Sequence, residues 1–271
     1  MRRSKILAKI RAGKVARVCS TGQPISFYPA LAAHFHFDGV WNDAEHRTWD
    51  PREVEAMIAR HHAADIDCLW RPPTKEKNAL YRLLEEGASG LMIPHVGSAD
   101  EARQLVRAVK FPPLGDRGFC GGGRDAGFWV GKPDDYLAMA NRETFLMVQI
   151  ETPEALAKID EIVAVEGVDL VFIGPGDMSI RLGCTPAVSD PVMLDVQKQI
   201  NAACKCHGKA WGRPVGTADD ARTLVDLGAQ LIAFGSEFGG LHQHLSKCSA
   251  QFDELLNEVS GSPDVPEGKT Y

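Results

Sequence analysis

Eight polar residues stand just past short apolar runs, and their types could do chemistry together. They are Asp43, Glu45 and His46 in "NDAEHRTWD", Arg71 after "DCLW", His95 in "GLMIPHV", Gln149 and Glu151 in "FLMVQIE", and Asp177 in "FIGPGDMS". Glu151 and Asp177 close consecutive runs. On neighbouring strands, about 4.8 Å apart, two carboxylates at matching depth repel unless a proton or a cation lies between them. The natural occupant is a hard divalent cation such as Mg²⁺ or Mn²⁺, held by oxygens with positions left for water and substrate. His46 stands beside two acids, and a histidine in that setting suits a general acid/base. Arg71 precedes Pro72 and Pro73, which stiffen its backbone, and its permanent charge suits a developing oxyanion.

Each residue also has a plainer reading. Asp177 is a good N-cap for the helical stretch Met-Ser-Ile-Arg-Leu that follows. Glu151 fits the first turn of a helix through "TPEALAKID", where an acid complements the helix dipole. His46 could be a packed ring beside a tryptophan-rich turn. His61 and His62 fall inside a helical pattern and are expected at the surface, and His207 before Gly208 suits a helix C-terminus.

The elements that must position these residues alternate along the chain. Eight apolar runs are expected as strands: 16–20, 38–42, 67–71, 90–96, 145–151, 169–174, 209–215 and 230–236. They lack strict alternation, as parallel strands covered on both faces do. Helical patterns lie between them, at Pro51–Ala64, Lys75–Glu86, Ala99–Lys110, Pro153–Val165, Pro191–His207 and Ala218–Leu227. Capping signals open several of them (Asp50-Pro51, Thr74, Ser98, Thr152-Pro153, Thr217), and glycines close several. Eight such units predict a single (β/α)₈ barrel over residues 1–260, with 261–271 a flexible tail. The alternative is an open doubly wound sheet, but no G-x-G-x-x-G follows the first run. In a barrel the chemistry sits at the C-terminal strand ends, where the eight polar residues fall. The Gly-rich segment Phe111–Lys132 is a long loop of the kind that is usually functional.

Composition narrows the partners. The chain has 271 residues, 44% hydrophobic and 24% charged, an ordinary globular balance. A net charge of -6 and the lack of a Lys/Arg run argue against nucleic acid. No apolar run approaches the roughly 18 residues of a membrane helix. Seven scattered cysteines are expected as reduced thiols in a cytoplasmic protein. The stretch before Asp38 contains no acid and resembles a transit peptide in charge. However, Ile6, Leu7 and Ile10 share a face and Gly13 ends it, so a short amphipathic helix is expected.

With these elements in place, "NDAEH", "RPP", "GLMIPHVGSADEARQLVRAVKFPPLGDRG", "VQIETPEAL" and "EGVDLVFIGPGDMSIRLG" resemble the HpcH/HpaI family of class II pyruvate aldolases. The resemblance runs from Leu7 to Leu245 and implies a barrel assembled as a trimer or hexamer. It implies a divalent metal (Mg²⁺, Mn²⁺ or Co²⁺) on Glu151 and Asp177. It implies a 2-oxo acid, pyruvate or hydroxypyruvate, against Gln149 and Arg71, with its carboxylate at the N–H groups near Gly176 and Asp177. His46 would handle the proton of the aldol hydroxyl as an aldehyde departs. Glu85 would hold the His46 ring, across a subunit boundary, while Glu86 is a solvated helix end. Two departures from the family pattern, His95 and "GGGRDAGF", are expected on the aldehyde side of the pocket. Leu241, Leu245, Phe252, Leu255 and Leu256 at helical spacing imply a C-terminal helix packed on a neighbour. The rivals are a citrate-lyase-β-like enzyme acting on a CoA thioester and a barrel that binds a metal and a 2-oxo acid without turnover.

Overall fold

The computed structural model describes residues 2–130 and 134–256, so the tail expected at 261–271 and its boundary at 260 lie outside the described residues. Eight strands close into a parallel barrel in chain order: β1 (Ala16–Thr21), β2 (Gly39–Asp43), β3 (Asp67–Arg71), β4 (Gly90–Ile93), β5 (Phe145–Ile150), β6 (Leu170–Ile173), β7 (Ala210–Val215) and β8 (Leu231–Ser236). Closure overturns the open-sheet alternative. Helix α1 (Lys5–Arg11) precedes the barrel, and α2 (Tyr28–His34), α3 (Pro51–Ala63) and α4 (Lys77–Glu85) follow the first three strands. Then come α5 (Ala99–Val109) and α6 (Tyr136–Glu143), α7 (Pro153–Ala157) and α8 (Ile159–Val163), and α9 (Pro175–Leu182) and α10 (Pro191–Cys206). The last two are α11 (Ala218–Asp226) and α12 (Glu237–Leu256).

Helix starts follow local chemistry. Asp50 and Glu53 form a capping box, and the side chains of Ser4, Ser98, Thr152, Asp190 and Thr217 accept first-turn N–H groups. The start expected at Thr74 is corrected. Glu76 caps α4, accepting from Asn78 N at 2.9 Å and Ala79 N at 2.8 Å, while Thr74 accepts only from Glu76 N. The single helix expected over Pro153–Val165 breaks at Lys158, whose backbone leaves the helical region.

Strand side chains alternate between the two faces of the sheet. Val18, Leu69, Met92, Phe145, Met147, Leu170, Phe172 and Leu231 fill the barrel, and Ile6 and Leu7 of α1 close its N-terminal end. Gly39 admits that plug, because a Cβ there would stand 2.6 Å from Ile6 Cδ1. The other face, with Val148, Ile150, Val171 and Ile173, packs against helix residues such as Ile58, Leu80, Leu105 and Ile162. The inward rows continue to the C-terminal mouth two residues at a time. Asp43 follows Trp41, Arg71 follows Leu69, and Gln149 follows Met147.

Two expectations fail on packing. His61 is not a surface residue. It extends the inward Met57–Ile58 stripe of α3 by one turn, is fully buried, and places Nδ1 2.8 Å from Met57 O. Burial pushes its pKa down to about 4. His62 is half-buried with Nε2 2.8 Å from Gly87 O, and burial lowers its pKa as well. The Gly-rich segment, with "GGGRDAGF", does not face the pocket of its own chain. It connects the C-terminus of α5 to α6 and so starts from the opposite end of the barrel. There it packs on the outer wall: Gly118 lies against Tyr81, and Asp125 N donates to Glu85 O at 3.2 Å.

Candidate active site

The site begins with strand register. Asp43 and Arg71 are direct partners across β2 and β3. Register brings the guanidinium onto the carboxylate, with Nε donating to Oδ1 at 2.9 Å and Nη2 2.9 Å from Oδ2. The same Oδ1 accepts from Glu45 N at 3.0 Å and His46 N at 3.4 Å, fixing the turn after β2. Burial alone would raise the Asp43 pKa. Arg71 and these N–H groups outweigh it and hold the carboxyl below its usual value. The Arg71 guanidinium lies 4.6 Å from the Trp41 ring centroid, over its face.

Glu45 links the remaining groups. Its Oε2 is 2.8 Å from Arg71 Nη1 and 3.6 Å from His46 Nε2, and its Oε1 is 3.2 Å from His95 Nε2. The Arg71 approach is off the N–H direction, so Oε2 is buried without an aligned hydrogen bond. The His46 ring is itself mostly exposed, at 56%.

Glu151 lies deepest, 1% exposed. Its Oε1 accepts from His95 N at 2.5 Å and lies 2.9 Å from His95 Nδ1, and its Oε2 accepts from Gln149 Nε2 at 2.5 Å. Burial raises its pKa and the charge of Glu45 adds to that, against the pull of the His95 and Gln149 donors. Gly174, the N-cap of α9, makes room for this carboxylate, since a Cβ there would stand 2.3 Å from Glu151 Oε2. Gln149 also places Oε1 3.5 Å from Arg71 Nη1.

Asp177 is not the N-cap of α9 but an acid of its first turn. Its carboxylate pairs with Arg181 Nη1 at 2.6 Å, not with Glu151. That exposed i,i+4 pair on one helix holds weakly. A Cβ on Gly176 would meet nothing within 4 Å, and the first N–H groups of α9 lack intrahelical partners.

Seven of the eight strand-end residues thus come together around Glu45 and Glu151, with Asp177 at the rim. Glu85 does not join them. It ends α4 at the far side of the barrel, beside Arg117 and Asp125, where burial raises its carboxyl pKa. Only another subunit could bring a Glu85 to His46. The sequence reading missed the Trp41 platform, the Glu45–His95 link and the clearance at Gly174. The spacing of two between Trp41 and Asp43 was the available signal for the first. Among the described residues, the one trio of His, Cys and acid side chains with donor atoms within 4.8 Å of one another is Asp160, Cys206 and His207 on the outer surface.

A divalent cation fits the donors present. Asp43 and Glu45 share a single guanidinium, the buried Glu151 has no arginine on it among the described residues, and one buried carboxylate oxygen lacks an aligned donor. Oxygen acceptors in excess inside a mouth of low dielectric favour a cation.

The model of the HpcH/HpaI aldolase/citrate lyase family matches residues 30–243. A hydroxypyruvate/pyruvate aldolase of Deinococcus radiodurans is 35% identical over 246 residues, covering 89% of this chain and 86% of that one. A 4-hydroxy-2-oxo-heptane-1,7-dioate aldolase of Shigella boydii is 32% identical over 255 residues, covering 93% and 96%. The crystal structure of an HpcH/HpaI aldolase from Desulfitobacterium hafniense superimposes with a TM-score of 0.84 at 28% identity, covering 96% and 97%. With strand ends built for acid–base chemistry and relatives of this kind, the chain belongs to the HpcH/HpaI aldolase/citrate lyase family and is a carbon–carbon lyase of the aldolase type.

Proposed function

We propose that the protein is a metal-dependent class II aldolase. It would cleave a 4-hydroxy-2-oxo acid reversibly to pyruvate, or a related 2-oxo acid such as hydroxypyruvate, and an aldehyde. The observation that carries this reading is the buried Glu151 carboxylate, cleared by Gly174 and facing the same mouth as the buried Arg71. Glu151 and Asp177 would hold the divalent cation, Mg²⁺, Mn²⁺ or Co²⁺, once Asp177 leaves Arg181. Bound there, the cation supplies Lewis-acid polarisation of the 2-oxo group.

The chain's own residues supply the rest. Arg71, locked by Asp43 and backed by Trp41, presents its positive charge to the oxygen on which the enolate forms. Gln149 fixes the 2-oxo acid beside it, and the N–H groups of Gly176 and Asp177 receive its carboxylate at the α9 N-terminus. His46 takes the proton of the C4 hydroxyl as the C3–C4 bond breaks, with Glu45 near its ring. Glu85 of a neighbouring subunit is the further partner of that ring. The exposed Leu241, Leu245, Phe252, Leu255 and Leu256 of α12 support a homo-oligomer, a trimer or hexamer. Among the described residues no helix is long and apolar enough to cross a membrane, and all seven cysteines are free, which supports a cytoplasmic setting.

Chelation tests the reading. Stripped protein should release no pyruvate from a 4-hydroxy-2-oxo acid, and Mg²⁺, Mn²⁺ or Co²⁺ should restore release. Full turnover by the stripped protein overturns it. A screen of aldehydes with pyruvate and hydroxypyruvate as donors then identifies the substrate pair.

A further inference from the structure

We infer that His95 is a nitrogen ligand of the divalent cation through Nδ1, with Glu45 as the carboxylate that orients its ring. The inference rests on the metal-dependent reading above and adds a donor to the Glu151 and Asp177 pair. His95 follows β4, the strand beside β5, and is aimed from both sides of its own backbone. Its N–H donates to Glu151 Oε1 at 2.5 Å, and its carbonyl accepts from Lys75 Nζ at 2.8 Å. Lys75 is in turn paired with Glu101. The backbone is held at φ +54°, a left-handed conformation costly for a side chain with a Cβ.

The ring geometry matches ligation. Two cis donors on an octahedral cation with bonds near 2.1 Å stand about 3.0 Å apart. Nδ1 of His95 already stands 2.9 Å from Glu151 Oε1. A single cation can therefore take both atoms with little movement of either side chain. The other ring nitrogen faces a carboxylate within reach. Ligating rings usually give their remaining N–H to a carboxylate, which fixes the tautomer and orientation. Nε2 stands 3.2 Å from Glu45 Oε1, and Glu45 is itself anchored 2.8 Å from Arg71. His95, Glu45 and Arg71 thus form a chain from the cation to the oxyanion-stabilising guanidinium. One imidazole in an otherwise oxygen donor set tilts preference away from Mg²⁺ and toward Mn²⁺, Co²⁺ and later metals.

The test uses the full-length protein, stripped and reloaded with Mn²⁺, and reads the ligand directly by pulsed EPR. Wild type should show ¹⁴N coupling to Mn²⁺, and labelling the histidines with ¹⁵N should convert it. His95→Ala should abolish the coupling while His46→Ala keeps it, and should weaken Mn²⁺ binding about 10–100-fold, with a smaller effect on Mg²⁺. Coupling that is absent from Mn²⁺-loaded wild type, or that survives in His95→Ala, overturns the inference and leaves the metal-dependent reading standing. Failure of wild type to bind Mn²⁺ at all overturns both. The isotope arm shows that a histidine ligates, and where His95→Ala does not fold, His95→Gln takes its place and should likewise abolish the histidine coupling.

Discussion

The strand-end mouth and the Gly-rich outer segment both bury charge, and they pair it differently. At the mouth, acceptors are in excess: Asp43 and Glu45 share one guanidinium, Glu151 meets His95 and Gln149 rather than an arginine, and Glu45 Oε2 has no aligned donor. On the outer wall most of the unmet groups are donors, although Asp125 Oδ1 also lacks a hydrogen-bond partner. Arg117 Nη2 meets Asp125 Oδ2 at 2.7 Å, Tyr136 OH donates to the same oxygen at 2.6 Å, and Arg117 Nε and Nη1 have no hydrogen-bond partner. Those donors lie over the Phe111 ring, whose centroid is 4.5 Å from the guanidinium carbon, and Phe119 and Tyr136 pack beside it. An aromatic face can take up spare guanidinium charge. No comparable group can take up a spare buried carboxylate except a proton, a cation or a substrate. What separates the two is Glu151, a buried carboxylate with no arginine on it among the described residues, whereas the buried Asp125 is paired with Arg117.

The largest expected contrast is between the two buried arginines. Arg71→Ala should lower aldol turnover by about 10²-fold or more, the scale of a lost oxyanion donor, while the fold survives. Arg117→Ala should do the reverse. It leaves Asp125 buried and unpaired, which costs about 3–5 kcal/mol of stability, with turnover per folded molecule within a few-fold of wild type. Steady-state kinetics beside urea unfolding would read both, and equal kinetic losses would erase the contrast.

Glycines sharpen it next. Gly174→Ala drives a Cβ to 2.3 Å from Glu151 Oε2, and Gly115→Ala drives one to 2.3 Å from Lys110 O. The first should weaken cation binding about 10–100-fold, as disturbed ligand orientation does. The second should lower the melting temperature and leave titrated cation affinity unchanged.

Glu85 tests whether the outer wall serves a neighbour's mouth. If it reaches a second subunit's His46, Glu85→Gln should reduce turnover by up to about tenfold and move the acidic limb of the pH–rate profile. Glu86→Gln should do neither. Wild-type kinetics in Glu85→Gln would leave Glu45 as the partner of His46.

The smallest effect concerns stability alone. His61 has its folded pKa lowered to about 4 from 6.5. The unfolded chain therefore binds the extra proton first, and stability present above pH 6.5 is lost as pH falls toward 4. The loss through this ring is at most about 3 kcal/mol. Denaturant midpoints should fall across that window in wild type, and less steeply in His61→Leu.

The sequence by itself determined the repeating units, and with them the barrel. Apolar runs, capping residues and closing glycines are local signals, so each unit was legible from its own stretch. The strand-end residues were legible for the same reason, because a polar residue that ends an apolar run needs no partner to be noticed. Helices α2 and α6 were not legible, since neither has a capping side chain at its start. Tertiary structure decided who meets whom. Register set Asp43 against Arg71. Inward alternation set Trp41 beneath the guanidinium, and the left-handed turn at His95 carried its ring between Glu45 and Glu151. The same topology sent Glu85 and the Gly-rich segment to the other end of the barrel, because a connection from helix to strand starts where the helix ends. Residues distant in sequence share no local signal, so closing the barrel was the step that fixed their neighbours.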